Sequence, residues 1–387
     1  MDRPTFQSLL SPQGQDLLAE AHALEPDDAT LLACLSRLGK RHPPELARAA
    51  LQTVLLRARA ASKFTRASAM YFTREALEQA TSEAVARYRA RRFHGLRRVA
   101  DLGCGIGGDA LALADCAEVV CVERDGLRLD LAAANLEAYG VRERCALAEG
   151  DALTVDVGEA DAVFLDPDRR PGGKRRLSPR ECEPSLEAVA RRLPGALLAA
   201  KLAPGVPLEE LSHLGGEVEM ISLDGELKEC ALWLGGWAGP PRRATALPSG
   251  ATLTDDAPLP PPRPPGRWLI DPGPAVARAG LAGGLAARLG AWPVDPSVLY
   301  LSVDDYSPDP LARAWRVREW MPLHAGRLRQ HLRSRGVGRV AVSHRGVRHD
   351  PEALVRELRL TGEEAVTLVL TPVLGKACAV VCDAVPV

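Results

Sequence analysis

The chain has 387 residues, a formal charge of −1 and nine cysteines. That length implies two or three domains with ample chain to bury a core, and the near-neutral charge excludes a globally polycationic nucleic-acid binder. The cysteines are scattered without paired C-x-x-C spacing, so buried free thiols in a reducing compartment are expected, with no disulfide framework and no metal. Met1 to Leu10 has Asp2, Arg3 and Pro4 ahead of an apolar run too short for a signal peptide or a membrane span, and a cytoplasmic protein without membrane contact is expected.

Residues 1–97 are rich in Ala, Leu and Arg, with helical apolar spacing through Pro44 to Arg59 and Thr73 to Arg92, and form an expected helical domain. Residues 98–239 follow as a second domain. Strands are expected at 98–102, 117–122, 144–148, 161–165 and 196–201, alternating with helical segments, which is the pattern of a parallel sheet. Glu217 to Leu223 and Lys228 to Gly235, joined by Asp224-Gly225, predict an antiparallel hairpin at its edge. Residues 240–266 carry Pro240-Pro241 and the run Pro258 to Pro265, and are expected to be an extended linker without helix or sheet ladders.

After the linker, residues 267–387 predict an α+β module. Its expected strands lie near 268–270, 298–303, 314–320, 339–343, 365–371 and 376–383, and its helices at 275–289, 323–334 and 351–358. Arg327, Arg329, Arg333, Arg335, Arg339, Arg345 and Arg348 make it locally basic, which fits either RNA contact or a solvated helix face.

The chemistry is concentrated at the ends of the expected strands. Val99 to Asp109 joins an apolar strand, a glycine-rich turn and the start of a helix, and Glu123 ends the next apolar run. Gly103, Gly105 and Gly108 satisfy G-x-G-x-x-G, so a dinucleotide is formally open. Asp101, two residues before the first glycine, would repel a pyrophosphate but pair with the ammonium of a methionine-like ligand. Glu149-Gly-Asp-Ala152 follows the third apolar segment, and Asp166-Pro-Asp-Arg-Arg170 follows the fourth. Taken singly, Asp101 could cap a strand end and Asp151 could hold a turn.

Asp101, Gly103, Gly105 and Gly107 together resemble the Asp/Glu-x-Gly-x-Gly-x-Gly first motif of class I S-adenosylmethionine-dependent methyltransferases, over roughly residues 98–237. The resemblance implies an α/β, Rossmann-like sheet and S-adenosylmethionine as cofactor. It implies ribose hydroxyls at Glu123 and the adenine amino group at Asp151, beside Ala152. Asp166-Pro167 resembles the start of the D-P-P-Y loop of amino-group methyltransferases, which orients an acceptor N–H. Here Asp168, Arg169 and Arg170 replace the second proline and the aromatic ring. Their guanidinium groups can stack on a base, read guanine or hold phosphate. Asp166, Pro167, Arg169 and Arg170 are therefore the expected catalytic set, and Asp166 also borders the donor.

Thr81-Ser-Glu-Ala-Val-Ala, followed by the glycine motif and then Ala134-Asn-Leu-Glu-Ala-Tyr-Gly140, resembles trimethylguanosine synthase-like proteins. In those a T-P-E-x-I-A helix closes over the donor, which implies a donor contact at Thr81 although Ser82 replaces the proline. The stretches Ser343-His-Arg-Gly-Val347, Leu360-Thr-Gly362 and Leu374-Gly-Lys376 resemble the THUMP-like domain that accompanies some bacterial methyltransferases. RNA is the implied partner, through the basic loop 169–180 and the C-terminal module. The expected function is methylation of a nucleobase nitrogen in RNA. A small-molecule methyltransferase and a non-catalytic RNA-binding protein are the alternatives, and a dehydrogenase is the least favoured.

Overall fold

Local chemistry sets the first helices. Asp2 accepts the Thr5 amide and opens Arg3–Leu10, Ser11 accepts the Gly14 amide and opens Pro12–His22, and a proline stands in the first turn of each. The computed structural model describes residues 1–167, 178, 182–193, 195–237, 239–348 and 350–384. It divides into two compact units, Met1–Glu217 with Glu229–Gly239, and Val218–Lys228 with Pro240–Val387. The 1–97 and 98–239 segments thus fall largely within one unit.

In the first unit, helix Pro44–Ala60 packs on Arg3–Leu10, Pro12–His22 and Leu31–Leu38 and buries Ala50 and Leu51 alongside Phe6, Leu9 and Leu17. The single helix expected through Thr73 to Arg92 is instead two, Arg74–Gln79 and Glu83–Ala90. Ala80 and Ser82 are extended, because Lys63 takes up the carbonyls of Leu77 and Ala80 and the Lys63 carbonyl receives the Glu83 amide. This break leaves Thr81 outside any helix.

Strands β1 (Arg98–Leu102), β2 (Glu118–Glu123), β3 (Cys145–Glu149), β4 (Ala162–Leu165) and β5 (Leu197–Leu202) lie within a residue of the expected positions. They pair in parallel in the order β3-β2-β1-β4-β5. The order reverses between β1 and β4, which opens a crevice at the carboxyl ends of the strands. β6 (Glu217–Leu223) and β7 (Glu226–Leu234) are joined by Asp224 and Gly225, both with positive φ, the geometry of a two-residue hairpin turn. The Glu229–Leu234 part of β7 belongs to the first unit, where it runs antiparallel to β5 with Ala231 opposite Lys201.

The second unit corrects the reading of residues 242–253, while 254–266 carry no helix or strand, as expected. β8 (Arg242–Leu247) pairs in parallel with β6 and β9 (Ala251–Leu253) pairs antiparallel with β8. The prolines stand outside these strands, and β6 supplies the ladder partners that a linker would lack. The rest of the unit builds a seven-stranded sheet from β10 (Trp268–Pro272), β11 (Trp292–Pro293), β12 (Leu301–Val303), β13 (Ala312–Pro322), β14 (Val337–His344), β15 (Glu364–Val373) and β16 (Lys376–Asp383). Its order is β11-β12-β10-β13-β16-β15-β14. Helices Ala325–Ser334 and Pro351–Leu358 bury Leu328, Leu332, Leu354 and Leu358 against Val366, Leu368 and Val381. The helix expected at 275–289 is split at Gly280, whose φ of +70° ends Pro274–Ala279 before Ala282–Leu289 begins.

The fold is therefore α/β, with a Rossmann-like sheet preceded by helices and followed by a second sheet-based unit. Among the described residues no helix is long and apolar enough to cross a membrane, and no group of three or more His, Cys, Asp or Glu side chains could hold a metal. All nine cysteines are free thiols, and all but Cys116 are buried.

Candidate active site

The crevice beyond β1 holds a cleft of about 480 Å³ in the first unit. Its floor begins where β1 ends. Gly103 turns with φ +84°, and a side chain there would meet the Asp166 carbonyl oxygen at 2.7 Å, so the turn and the end of β4 can approach only through glycine. The Gly105 amide donates to Glu123 Oε2 at 3.0 Å, and the Asp125 amide donates to Oε1 at 3.0 Å. Glu123 is thereby fixed at the end of β2, 7% exposed, on the cleft wall.

Thr81, Gly103, Gly105, Glu123, Asp151, Ala152, Asp166 and Pro167 all line this cleft. Asp151 is exposed and its Oδ1 accepts the Leu153 amide at 2.6 Å, while Arg192 donates to the carbonyls of Ala152 and Val155. Asp101 and Gly107 are not on the lining: Gly107 packs on Ala132, and Asp101 is fully buried. Arg169 and Arg170 lie outside the described residues, as does most of the 169–180 loop. No aromatic side chain lines the cleft among the described residues.

The Thr81 segment is held from several sides. Thr81 Oγ1 donates to Asp109 at 3.2 Å, and the Lys63 ammonium donates to the carbonyls of Leu77 (2.8 Å) and Ala80 (3.0 Å). Asn135 and Tyr139, from helix Gly126–Ala138 and its end, tie in the neighbouring elements. Asn135 takes the Tyr71 amide at 2.7 Å and donates to the carbonyls of Tyr71 and Ile106. The Tyr139 hydroxyl donates to Glu83 at 2.8 Å. These are the polar positions of the Asn-x-x-x-Tyr-Gly stretch, and their visible work is to seat the N-terminal helices.

Sequence reasoning missed a buried charge cluster beneath the cleft. Arg89, from helix Glu83–Ala90, is bonded to both Asp109 and Glu229 and lies 4.4 Å over the Phe164 ring. Lys201, near the end of β5, donates from Nζ to Asp166 Oδ2 at 2.7 Å and to the Gln79 carbonyl at 3.2 Å. Burial alone would lower the Lys201 ammonium, but the charges of Asp166, Asp109 and Glu229 outweigh it and hold the group above its ordinary value. Asp101 completes the cluster, with neither carboxylate oxygen hydrogen-bonded. Burial first, then the charges of Asp109 and Asp166, push its carboxyl well above the ordinary 3.8. Among the described residues, four carboxyl groups are thus gathered around two cations. Lys201 carried one sequence signal, a lysine in the apolar strand Leu-Leu-Ala-Ala-Lys-Leu. Arg89 carried none, since Asp109 and Glu229 are 20 and 140 residues away.

Residues 96–177 match the family described as RNA cap guanine-N2 methyltransferase, residues 312–384 a THUMP domain-like family, and residues 2–60 a domain of unknown function. The chain is similar in fold to a Porphyromonas gingivalis W83 protein provisionally named a methyltransferase, with a TM-score of 0.75 at 22% identity, covering 92% of this chain and 98% of that one. It is also similar to proteins named as uncharacterised S-adenosylmethionine-dependent methyltransferases in two strains of Mycobacterium tuberculosis. Each is 40% identical over 333 residues, which span 83% of this chain and 91% of theirs. With S-adenosylmethionine as its cofactor, the chain belongs to the S-adenosylmethionine-dependent methyltransferases.

Proposed function

We propose that this methyltransferase methylates a nucleobase nitrogen in RNA. The observation that carries the reading is Asp166, a carboxylate at the end of β4 that borders the donor cleft and is 23% exposed to it or to solvent. An exocyclic base amine is a poor nucleophile, and a carboxylate that accepts one of its hydrogens directs the lone pair toward an electrophilic methyl. Similarity of residues 96–177 to RNA cap guanine-N2 methyltransferases and of residues 312–384 to THUMP-like domains supports RNA as the carrier. In this reading Pro167 shapes the loop, and Arg169, Arg170 and the basic residues up to Arg180 take base or phosphate, together with the C-terminal unit. A cytoplasmic location fits nine free thiols.

The residues present fit the cofactor. Gly103 and Gly105 leave backbone bare on the cleft, Glu123 offers a fixed carboxylate suited to a ribose diol, and Asp151 with Ala152 borders the adenine end. The orphaned oxygens of Asp101, behind the cleft, belong to a cluster short of positive charge, which the ammonium of a donor in the cleft would offset. When bound, S-adenosylmethionine provides a methyl group on sulfonium and departs as a neutral thioether. The protein needs no strong leaving-group acid. As the acceptor nitrogen gains its methyl it loses a proton, for which the outer oxygen of Asp166 is the nearest carboxylate site in this reading.

The decisive experiment incubates the full chain with methyl-labelled donor and separate pools of total RNA, protein and metabolites. Label is expected in RNA bases. Label confined to metabolites would favour a small-molecule acceptor and overturn the reading.

A pH prediction follows from Asp101. Because burial raises its folded pKa, the folded chain binds a proton there more tightly than the unfolded chain does, so this group's contribution to stability falls as pH rises above the ordinary 3.8. An ammonium bound in the cleft in front of it favours the ionised carboxyl. Donor binding is therefore expected to release a proton and to tighten with rising pH until Asp101 is ionised in the empty protein. Calorimetry in two buffers of different ionisation enthalpy measures the proton. An Asp101→Asn variant with unchanged affinity and the same proton release would count against this role.

A further inference from the structure

Asp166 and Lys201 are placed by the sheet itself. Leu165 and Ala200 are partners in the parallel β4–β5 register, so the residues that follow them emerge side by side at the carboxyl edge. The Lys201 side chain is 6% exposed, so its ammonium does not escape to water along the stem, as a surface lysine's would. It makes two bonds to residues that line the cleft, to Asp166 Oδ2 and to the Gln79 carbonyl. Gln79 ends helix Arg74–Gln79, whose last carbonyls lack helical partners and favour a cation. Asp166 Oδ1 carries no hydrogen bond among the described residues.

We propose that Lys201 is the positioning residue of the acceptor subsite: one ammonium holds Asp166 by Oδ2 and the Thr81 segment by Gln79, leaving Oδ1 alone to receive one N–H of the acceptor. This rests on the reading of Asp166 as the group that faces the acceptor nitrogen. Rotation of the Asp166 carboxylate and displacement of residues 79–81 are then linked through a single atom, Lys201 Nζ. The acceptor is selected for offering one N–H in line with Oδ1 while its lone pair points at the methyl. Lys201 does not act as the base, because the surrounding carboxylates keep it protonated.

The test uses the full chain as wild type, K201M and K201R, with labelled donor and total cellular RNA. S-adenosylhomocysteine calorimetry reports the donor site and hydrogen exchange reports residues 77–83. K201M is expected to keep S-adenosylhomocysteine affinity within about 3-fold and to lose about 10²-fold in kcat, the scale of a misplaced reacting group. Exchange at residues 77–83 should quicken, and K201R should recover to within about tenfold of wild type. Wild-type turnover in K201M, unchanged exchange, or a K201R no better than K201M would overturn the proposal. If K201M does not fold, K201Q takes its place with the same expectations. If wild type labels another pool instead of RNA, the RNA reading fails. The same variants measured on that pool, with the exchange data, still decide the role of Lys201.

Discussion

Replacing Asp166 by asparagine is expected to lower methyl transfer to RNA by about 10²- to 10³-fold while S-adenosylhomocysteine still binds, as befits loss of a group that acts on the acceptor. Asparagine keeps the size and one oxygen for Lys201, so the fold should survive. Alanine is the poorer probe. It would leave the 6%-exposed Lys201 ammonium without any oxygen from residue 166 to accept its hydrogen bond, and stranding one member of a buried pair costs about 3–5 kcal/mol. A loss seen in Asp166→Ala could therefore be a folding effect, whereas a loss in Asp166→Asn with donor affinity intact separates chemistry from stability. Full turnover in Asp166→Asn would remove Asp166 from the mechanism.

The second large effect concerns Arg89. Its guanidinium is 3% exposed and bonded to Asp109 and Glu229, which are themselves nearly buried. Burial dominates at Glu229 and raises its carboxyl despite the attraction of Arg89. Arg89→Met would leave both carboxylates without their cation, at about 3–5 kcal/mol, against a typical total stability of about 5–15 kcal/mol. A fall in Tm on the order of 10 °C is expected at neutral pH, read by thermal unfolding of the full chain. The deficit should shrink as pH falls, because protonating Glu229, whose carboxyl burial already raises, removes one of the unpaired charges. A variant melting within about 2 °C of wild type at pH 7 would show that the cluster does not depend on Arg89. Since Thr81 donates to Asp109, the same substitution should also loosen the cleft wall.

The part of the cleft lining at the ends of β1 and β2 was legible because it is written in local code. Gly103 and Gly105 need positive φ within a few residues of an apolar strand, and Glu123 ends the next strand. Both signals survive without knowledge of distant partners. The helix break at Ala80–Ser82 was hidden for the opposite reason. Its apolar spacing reads through, while Lys63, from beyond Pro44–Ala60, supplies the bonds that end the first helix. Strand β8 was hidden likewise, since the proline-flanked segment owes its ladder to Val218–Leu223.

The glycine turn, the strand-end carboxylates and the alternation of strands and helices determined by themselves that this chain builds an α/β sheet with a glycine turn and carboxylates at its carboxyl edge, since each is a short-range constraint on backbone conformation or burial. Only the tertiary structure decided which charges meet. It put Asp101 behind the cleft with empty oxygens, gave Arg89 partners 20 and 140 residues away, and joined Asp166 to Lys201 across two strands. Ion pairs of this kind have no period and no motif. They are selected by the cost of burying an unpaired charge, which exists only once the sheet has closed over them.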